Sequence, residues 1–186
     1  ASDVYKRQDL VWRNSVTGQN VIWFMNNNVR ASAVFLQQTV GDLNWQIQAS
    51  ADYNNDGSAD LIWRNFRTGQ NLVWLMNGIS LTSVLSLPTE TNLNLQIQGA
   101  ADFNNDGFVD LLLRDYTNPP SPSSTNNLIW LMNGATRINT ALLPRWDNLN
   151  FRIQGAGDFN RDGRPDILWR NITTGENQVW LLNGTA

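Results

Sequence analysis

The sequence predicts an all-β protein, a β-propeller of four-stranded antiparallel blades with about 3.5 blades in this chain. Three observations predict it. The pattern Asp-x-Asn-x-Asp-Gly-x-x-Asp occurs at Asp52–Asp60, Asp102–Asp110 and Asp158–Asp166. Each copy is followed in the same order by an apolar stretch ending in Arg (Leu61–Arg64, Leu111–Arg114, Ile167–Arg170), a polar turn, and a stretch bearing Trp74, Trp130 or Trp180. No segment carries a long helical period, and four short strands repeating at about 50 residues describe a propeller blade.

Each element has its own signal. The first strand of a unit is Trp45–Ala51, Leu95–Ala101 or Phe151–Gly157, where Gln-Ile-Gln or Arg-Ile-Gln alternates polar and apolar residues. The Asp-rich loop leads into a second strand, Asp60–Arg64 in the second unit. Thr17-Gly18, Thr68-Gly69 and Thr174-Gly175 mark the next turn. The third strand, Asn71–Met76, is apolar on both faces and is expected between two packed layers. Asn77-Gly78, Asn133-Gly134 and Asn183-Gly184 stand where a two-residue type I′ hairpin wants positive φ at both positions. The fourth strand is expected near Ser80–Leu87.

The start of the chain, Asp9-Leu-Val-Trp-Arg-Asn14 with Trp23, is a further copy without its first strand and loop. The blades therefore divide as 9–42 (partial), 43–92, 93–148 and 149–186 (partial). Residues 1–8 share nothing with the repeat and resemble a translated sequencing-adapter scar, outside fold reasoning. The third unit carries an insertion, Pro119-Pro-Ser-Pro-Ser-Ser124, whose composition predicts an exposed loop. Fourteen strands fall short of the roughly 4–8 blades of a closed ring. An open edge is expected at each end, covered by self-association or by a remainder of the chain. Two copies forming an eight-blade ring are the simplest closure to draw.

Composition narrows the chemistry. The 186 residues carry 13 Lys and Arg against 16 Asp and Glu, a net charge of −3, with no Cys and no His. Disulfides, thiol nucleophiles, imidazole bases and zinc or iron sites of the usual kind are excluded. No basic surplus exists to neutralise phosphates, so nucleic acid is not an expected partner. No apolar run reaches the roughly 20 residues of a membrane helix, so membrane insertion is not expected.

The repeated loop is the candidate site. Oxygens at loop positions 1, 3, 5 and 9, with a main-chain carbonyl at position 7, can converge on one hard cation, and Gly at position 6 permits the sharp turn. The expected ligands are Asp52, Asn54, Asp56, Asp60 and the Ser58 carbonyl; Asp102, Asn104, Asp106, Asp110 and the Phe108 carbonyl; and Asp158, Asn160, Asp162, Asp166 and the Arg164 carbonyl. All-oxygen sets with three carboxylates suit Ca²⁺, about three ions in all. The alternative is an Asx-rich turn without an ion. Position 12 holds Trp63, Leu113 or Trp169 where an EF-hand needs Glu.

With these loops, the Gln98–Asp102 and Gln154–Asp158 approaches, and the Trp74–Gly78 and Trp130–Gly134 strand ends, the chain resembles the FG-GAP/VCBS repeat family from Asp9 to Gly184. The resemblance implies integrin-type propeller blades with calcium between the first two strands. It also implies secreted or surface proteins that serve adhesion, glycan binding or larger enzymes as accessory modules.

Tryptophans at Trp12, Trp63 and Trp169, and at Trp23, Trp74, Trp130 and Trp180, are expected in the core, as is Trp45, because the third unit accepts Leu113 at one of these positions. Trp146, off the pattern and beside Arg145, is the candidate ligand contact. Arg13, Arg64, Arg114 and Arg170 are expected to pair with a neighbouring blade's carboxylate. No catalytic set is visible. The expected function is a non-catalytic, extracellular, calcium-stabilised module binding a glycan or protein, with a self-assembling scaffold or an accessory domain as the alternatives.

Overall fold

The computed structural model describes residues 8–117 and 126–185. The expected insertion loop at 119–124 and residues 1–7 lie outside them. Among the described residues, fourteen strands form four antiparallel sheets, none closed into a ring. The first unit has β1 (Leu10–Arg13), β2 (Asn20–Asn26) and β3 (Val29–Phe35). The second has β4 (Trp45–Ala51), β5 (Asp60–Asn65), β6 (Asn71–Asn77) and β7 (Ser80–Leu87). The third has β8 (Leu95–Ala101), β9 (Asp110–Asp115), β10 (Asn127–Asn133) and β11 (Thr136–Leu142). The fourth has β12 (Phe151–Gly157), β13 (Asp166–Asn171) and β14 (Asn177–Trp180).

Every sheet is a meander, with strands paired in chain order. A bulge recurs in the first strand of each unit that has one, between Ile47 and Ala49, Ile97 and Gly99, and Ile153 and Gly155. β8 lies beside both β4 and β12, so the first strands of successive units are neighbours. Meander order puts the Asp-rich loops and the hairpins after the third strands at one end of the sheets. The turns after the second strands and the linkers between units lie at the other.

The hairpins differ from the expected type. Asn77 pairs with Ser80 and Asn133 with Thr136, so the two central residues are Gly78-Ile79 and Gly134-Ala135. Of these only the glycines have positive φ, 59° and 54°. Asn therefore ends the strand and Gly takes the first central position, as in a type II′ hairpin. In the first unit Asn27, at φ 55°, takes the place of Gly.

The second strands of the two middle units are the most buried elements: all six residues of β5 and five of the six in β9 are buried. Apolar side chains of successive units interlock across the gaps between sheets. Ile62 and Val73 pack with Leu111, Leu113 and Met132, while Leu112 and Ile129 pack with Ile167 and Trp169. Trp63, Trp74, Trp130 and Trp169 are core, as expected. Trp12 is not. It is exposed, because among the described residues no earlier sheet covers the outer face of β1.

Among the described residues, the recurring arginines take no carboxylate partner of the expected kind. The Arg64 guanidinium donates to the Asn71 side-chain oxygen (3.0 Å) and to the main-chain carbonyls of Gly69, Glu90 and Asn92. Arg114 donates to Asn127 Oδ1 and to the carbonyls of Trp146 and Asn148, and Arg13 makes the corresponding set. The asparagine amide then donates onward to the carbonyl of Gln38, Pro88 or Pro144. Carbonyls are the available acceptors because the linker backbone passes directly over the guanidinium. Burial lowers the pKa of Arg64 and Arg114. Two of these guanidiniums are shielded on the other side by an indole of the next unit: Arg13 lies over the Trp63 ring at 5.1 Å and Arg114 over Trp169 at 4.8 Å.

Turn chemistry completes this end. Gly69, at φ +74°, receives the Glu90 N–H on its carbonyl, and an added Cβ would meet Glu90 O at 1.9 Å. In the third unit the Asn126 side chain does the same work: it accepts the Trp146 N–H (3.0 Å) and donates to the Trp146 carbonyl (2.6 Å). Arg114→Lys replaces a planar fork by a point charge and is expected to cost about 2–3 kcal/mol in urea unfolding. The same exchange at exposed Arg170 is expected to stay within about 0.5 kcal/mol.

Candidate metal-binding loops

Each Asp-rich loop is built around two left-handed residues. Position 4 is Asn55, Asn105 or Arg161 at φ 59–63°, and position 6 is Gly57, Gly107 or Gly163 at φ 85–88°. Asparagine tolerates this region better than other non-glycine residues, whereas arginine has no local bond to offset its Cβ. Arg161 is the sterically least suited of the three.

The loop oxygens are already organised by hydrogen bonds. Asp52 accepts the Asp56 N–H on Oδ1 (2.9 Å) and the Gly57 N–H on Oδ2 (2.9 Å). Asp56 accepts the Ser58 N–H on Oδ1 and the Asn54 amide on Oδ2, both at 2.8 Å. These bonds from Asn54 and Ser58 hold the Asp56 carboxyl below its usual pKa. The third and fourth units repeat the pattern through Asp102, Asn104, Asp106 and Phe108, and through Asp158, Asn160, Asp162 and Arg164. Loops of adjacent units also touch, with the Asn55 amide donating to Gly107 O at 2.9 Å.

Position 9 behaves differently. Asp60 is buried, and its two oxygens accept the N–H groups of Tyr53 and Met76, both at 2.8 Å. Asp110 does the same for Phe103 and Met132, and Asp166 for Phe159 and Leu182. Each carboxylate thereby ties the loop to the third strand of its own sheet. Burial, opposed by these amide bonds, raises Asp110 to about 6. The first unit shows that the tie stands without the loop: Asp9 accepts the Met25 N–H at 2.8 Å. Sequence reasoning missed this role, although Asp9, kept where the rest of the loop pattern is missing, was the signal for it.

The donors fit a hard cation in kind. All are oxygens, of the carboxylate, amide and carbonyl kinds that hard cations take. Among the described residues, no group of three or more acidic side chains is gathered in a form ready to hold a metal ion. In the second unit the Asn54 amide and five backbone N–H groups supply the positive ends of dipoles to the carboxylates.

Other candidates lie elsewhere. Trp146 is half-buried and packs against Phe151 (4.2 Å), Trp180 (5.1 Å, 6° between planes) and Trp169 (4.9 Å), so much of its ring surface is committed to packing. Arg145 pairs with Asp147 beside it. A cavity of about 580 Å³ separates the first and second sheets, lined by Leu10, Ile22 and Phe24 on one side and Leu61, Met76 and Gly78 on the other. One unit along, Tyr53 fills the equivalent place, packing with Leu111 and Met132 and donating its hydroxyl to Gly134 O at 3.0 Å. No described residue of the first unit stands at the Tyr53 position.

Four meander sheets, stacked by their buried faces with a repeated Asp-rich loop at one end, define a repeat protein of propeller-like blades. Residues 52–113 and 102–169 match the FG-GAP-like repeat family, and the chain belongs to it. No curated protein matches the chain.

Two outcomes are expected in urea unfolding. Arg161→Asn relieves the left-handed position and is expected to add about 1 kcal/mol. With EGTA present, Asp110→Ala strands two buried N–H groups and is expected to cost about 2–4 kcal/mol, while Asp106→Ala costs less than about 1 kcal/mol.

Proposed function

We propose that this chain is a non-catalytic, calcium-stabilised binding module of an extracellular protein, presenting a glycan- or protein-binding surface. The supporting observation is the threefold recurrence of one all-oxygen loop at the same end of consecutive sheets. In this reading Asp52, Asn54, Asp56 and Asp60, with the Ser58 carbonyl, hold one ion. Asp102, Asn104, Asp106 and Asp110, with the Phe108 carbonyl, hold a second. Asp158, Asn160, Asp162 and Asp166, with the Arg164 carbonyl, hold a third. The ion supplies fixed positive charge that rigidifies the loop end. The chain's own residues provide the rest: the buried position-9 Asp anchors each loop, and Gly at position 6 turns it.

Exposed loops of this type suit the roughly 10⁻⁴–10⁻³ M calcium that extracellular modules sense. Neither Cys nor His is present to supply a nucleophile or base of the commonest kinds. Among the described residues, no helix is long and apolar enough to cross a membrane. Arg145 and Trp146 stay candidates for ligand contact through the part of the indole that packing leaves exposed.

An ion that binds only the folded loop stabilises it by about 2.7 kcal/mol at 100 times its dissociation constant. EGTA is therefore expected to lower the melting temperature by many degrees, with Mg²⁺ restoring it poorly because it demands octahedral geometry and retains water. Asp56→Ala, Asp106→Ala and Asp162→Ala are each expected to remove about one ion in metal analysis. Calcium-free protein with an EGTA-insensitive melting curve would leave the loops as Asx turns. A glycan array of the calcium-loaded chain tests the ligand half of the reading.

A further inference from the structure

Two hydrogen bonds tie the Asp-rich loop of the second unit to the third unit, and both lead to residues of the third ligand set. Asn55 stands at position 4 of its loop, between Asn54 and Asp56, and its side-chain amide crosses to Gly107 O at 2.9 Å. That carbonyl belongs to the peptide whose N–H, on Phe108, donates to Asp106 Oδ1 at 2.9 Å. Tyr53, at position 2, donates its N–H to Asp60 at 2.8 Å and its hydroxyl to Gly134 O at 3.0 Å. Gly134 lies in the hairpin after β10, and two residues earlier the Met132 N–H donates to Asp110 at 2.9 Å.

The junction between the third and fourth units is made differently. Phe103 stands where Tyr53 does and has no hydroxyl to donate. Among the described residues, Asn105 makes no bond to Gly163 corresponding to that of Asn55 to Gly107. Asn55 and Asn105 share the same left-handed backbone, at φ 59° and 60°, so the shape of the turn does not by itself produce the contact.

We propose that Asn55 and Tyr53 are positioning residues for the loop of the third unit. They couple it to the loop of the second, so that calcium held by either raises the affinity of the other, while the loop of the fourth unit binds on its own. The inference rests on the ion reading given above. Its physical basis is shared ordering. Fixing Asn54 and Asp56 as ligands also fixes the backbone of Asn55 between them, and with it the direction of the amide. That amide holds the Gly107–Phe108 peptide, which lies between two members of the third ligand set, Asp106 and the Phe108 carbonyl. A loop whose peptide is already held loses less freedom when it closes on a cation, and linkage makes the gain mutual. Hydrogen bonds in series, from the amide through the peptide to Asp106, also polarise one another in the same direction.

Isothermal titration with calcium tests it on the full chain carrying Asp162→Ala, which removes the ion of the fourth unit and leaves two. The second of these ions is expected to bind about fivefold or more tighter than two equal, independent sites allow. Tyr53→Phe installs the residue of the third unit, and Asn55→Gly suits the positive φ, so both variants keep the fold, which circular dichroism checks. Together they are expected to bring the cooperativity factor close to one. Asn105→Gly makes the same exchange where no bond crosses and is expected to leave that factor unchanged. Hydrogen exchange of the Phe108 amide gives a readout without a bound ion: in EGTA, Asn55→Gly is expected to speed it severalfold. Two independent sites in the Asp162→Ala chain overturn the coupling and leave the ion reading intact. Cooperativity that survives Tyr53→Phe with Asn55→Gly does the same. A parent chain that binds no calcium overturns the ion reading, and the coupling falls with it.

Discussion

The structure depends on a buried cation whose hydrogen bonds go to carbonyl and amide oxygens. Arg64 and Arg114 leave water with main-chain carbonyls and one asparagine oxygen as acceptors. Desolvating a guanidinium is costly unless its donors are met, so the linker backbone must pass where the arginine can reach it. The bond fixes where one unit ends. In the third unit the following indole, Trp169, lies over the same guanidinium and ties the next sheet to it. Strand pairing alone would give four separate meanders; interlocking apolar faces, with Arg114 against Trp169, hold one sheet on the next.

Much of the fold was legible in the sequence, because the repeats align strand against strand. Ser80–Leu87, which carried the weakest signal, is a strand over that span. The hairpin type was not legible from Asn-Gly alone. The pair can occupy the two central positions, or Asn can close the strand with Gly following, and cross-strand register decides between them. The partners of the arginines were hidden for a different reason. Main-chain carbonyls leave no mark in a sequence, and the trace that did exist was the asparagine seven residues after Arg13, Arg64 and Arg170. Trp12 misled because its place in the repeat matches the core, while among the described residues no sheet covers its outer face.

At the loops, sequence logic treats all three carboxylates of a unit as equivalent, and the structure separates them. Asp52 and Asp56 sit in the loop's own web of amides near solvent, whereas Asp60 is sunk beneath it and spans to Met76. A spacing pattern cannot distinguish an oxygen that faces an ion from one that staples two strands, since the same side chain can do both. The retained Asp9 makes the second duty visible, because its bond to Met25 is made where the loop pattern is missing.

Asn126 carries a lesson about where this architecture can grow. In the second unit the turn must bring Gly69 within touching distance of Glu90, which leaves no room for even one methyl group. In the third unit a side-chain amide reaches Trp146 from the neighbouring position and imitates the missing peptide with one donor and one acceptor. The linker requires only that amide, and it places no demand on the length of the segment that leads up to it. The turn after the second strand is thus where one unit differs in length from another while the linker keeps its amide contact, at the end of the sheets opposite the Asp-rich loops.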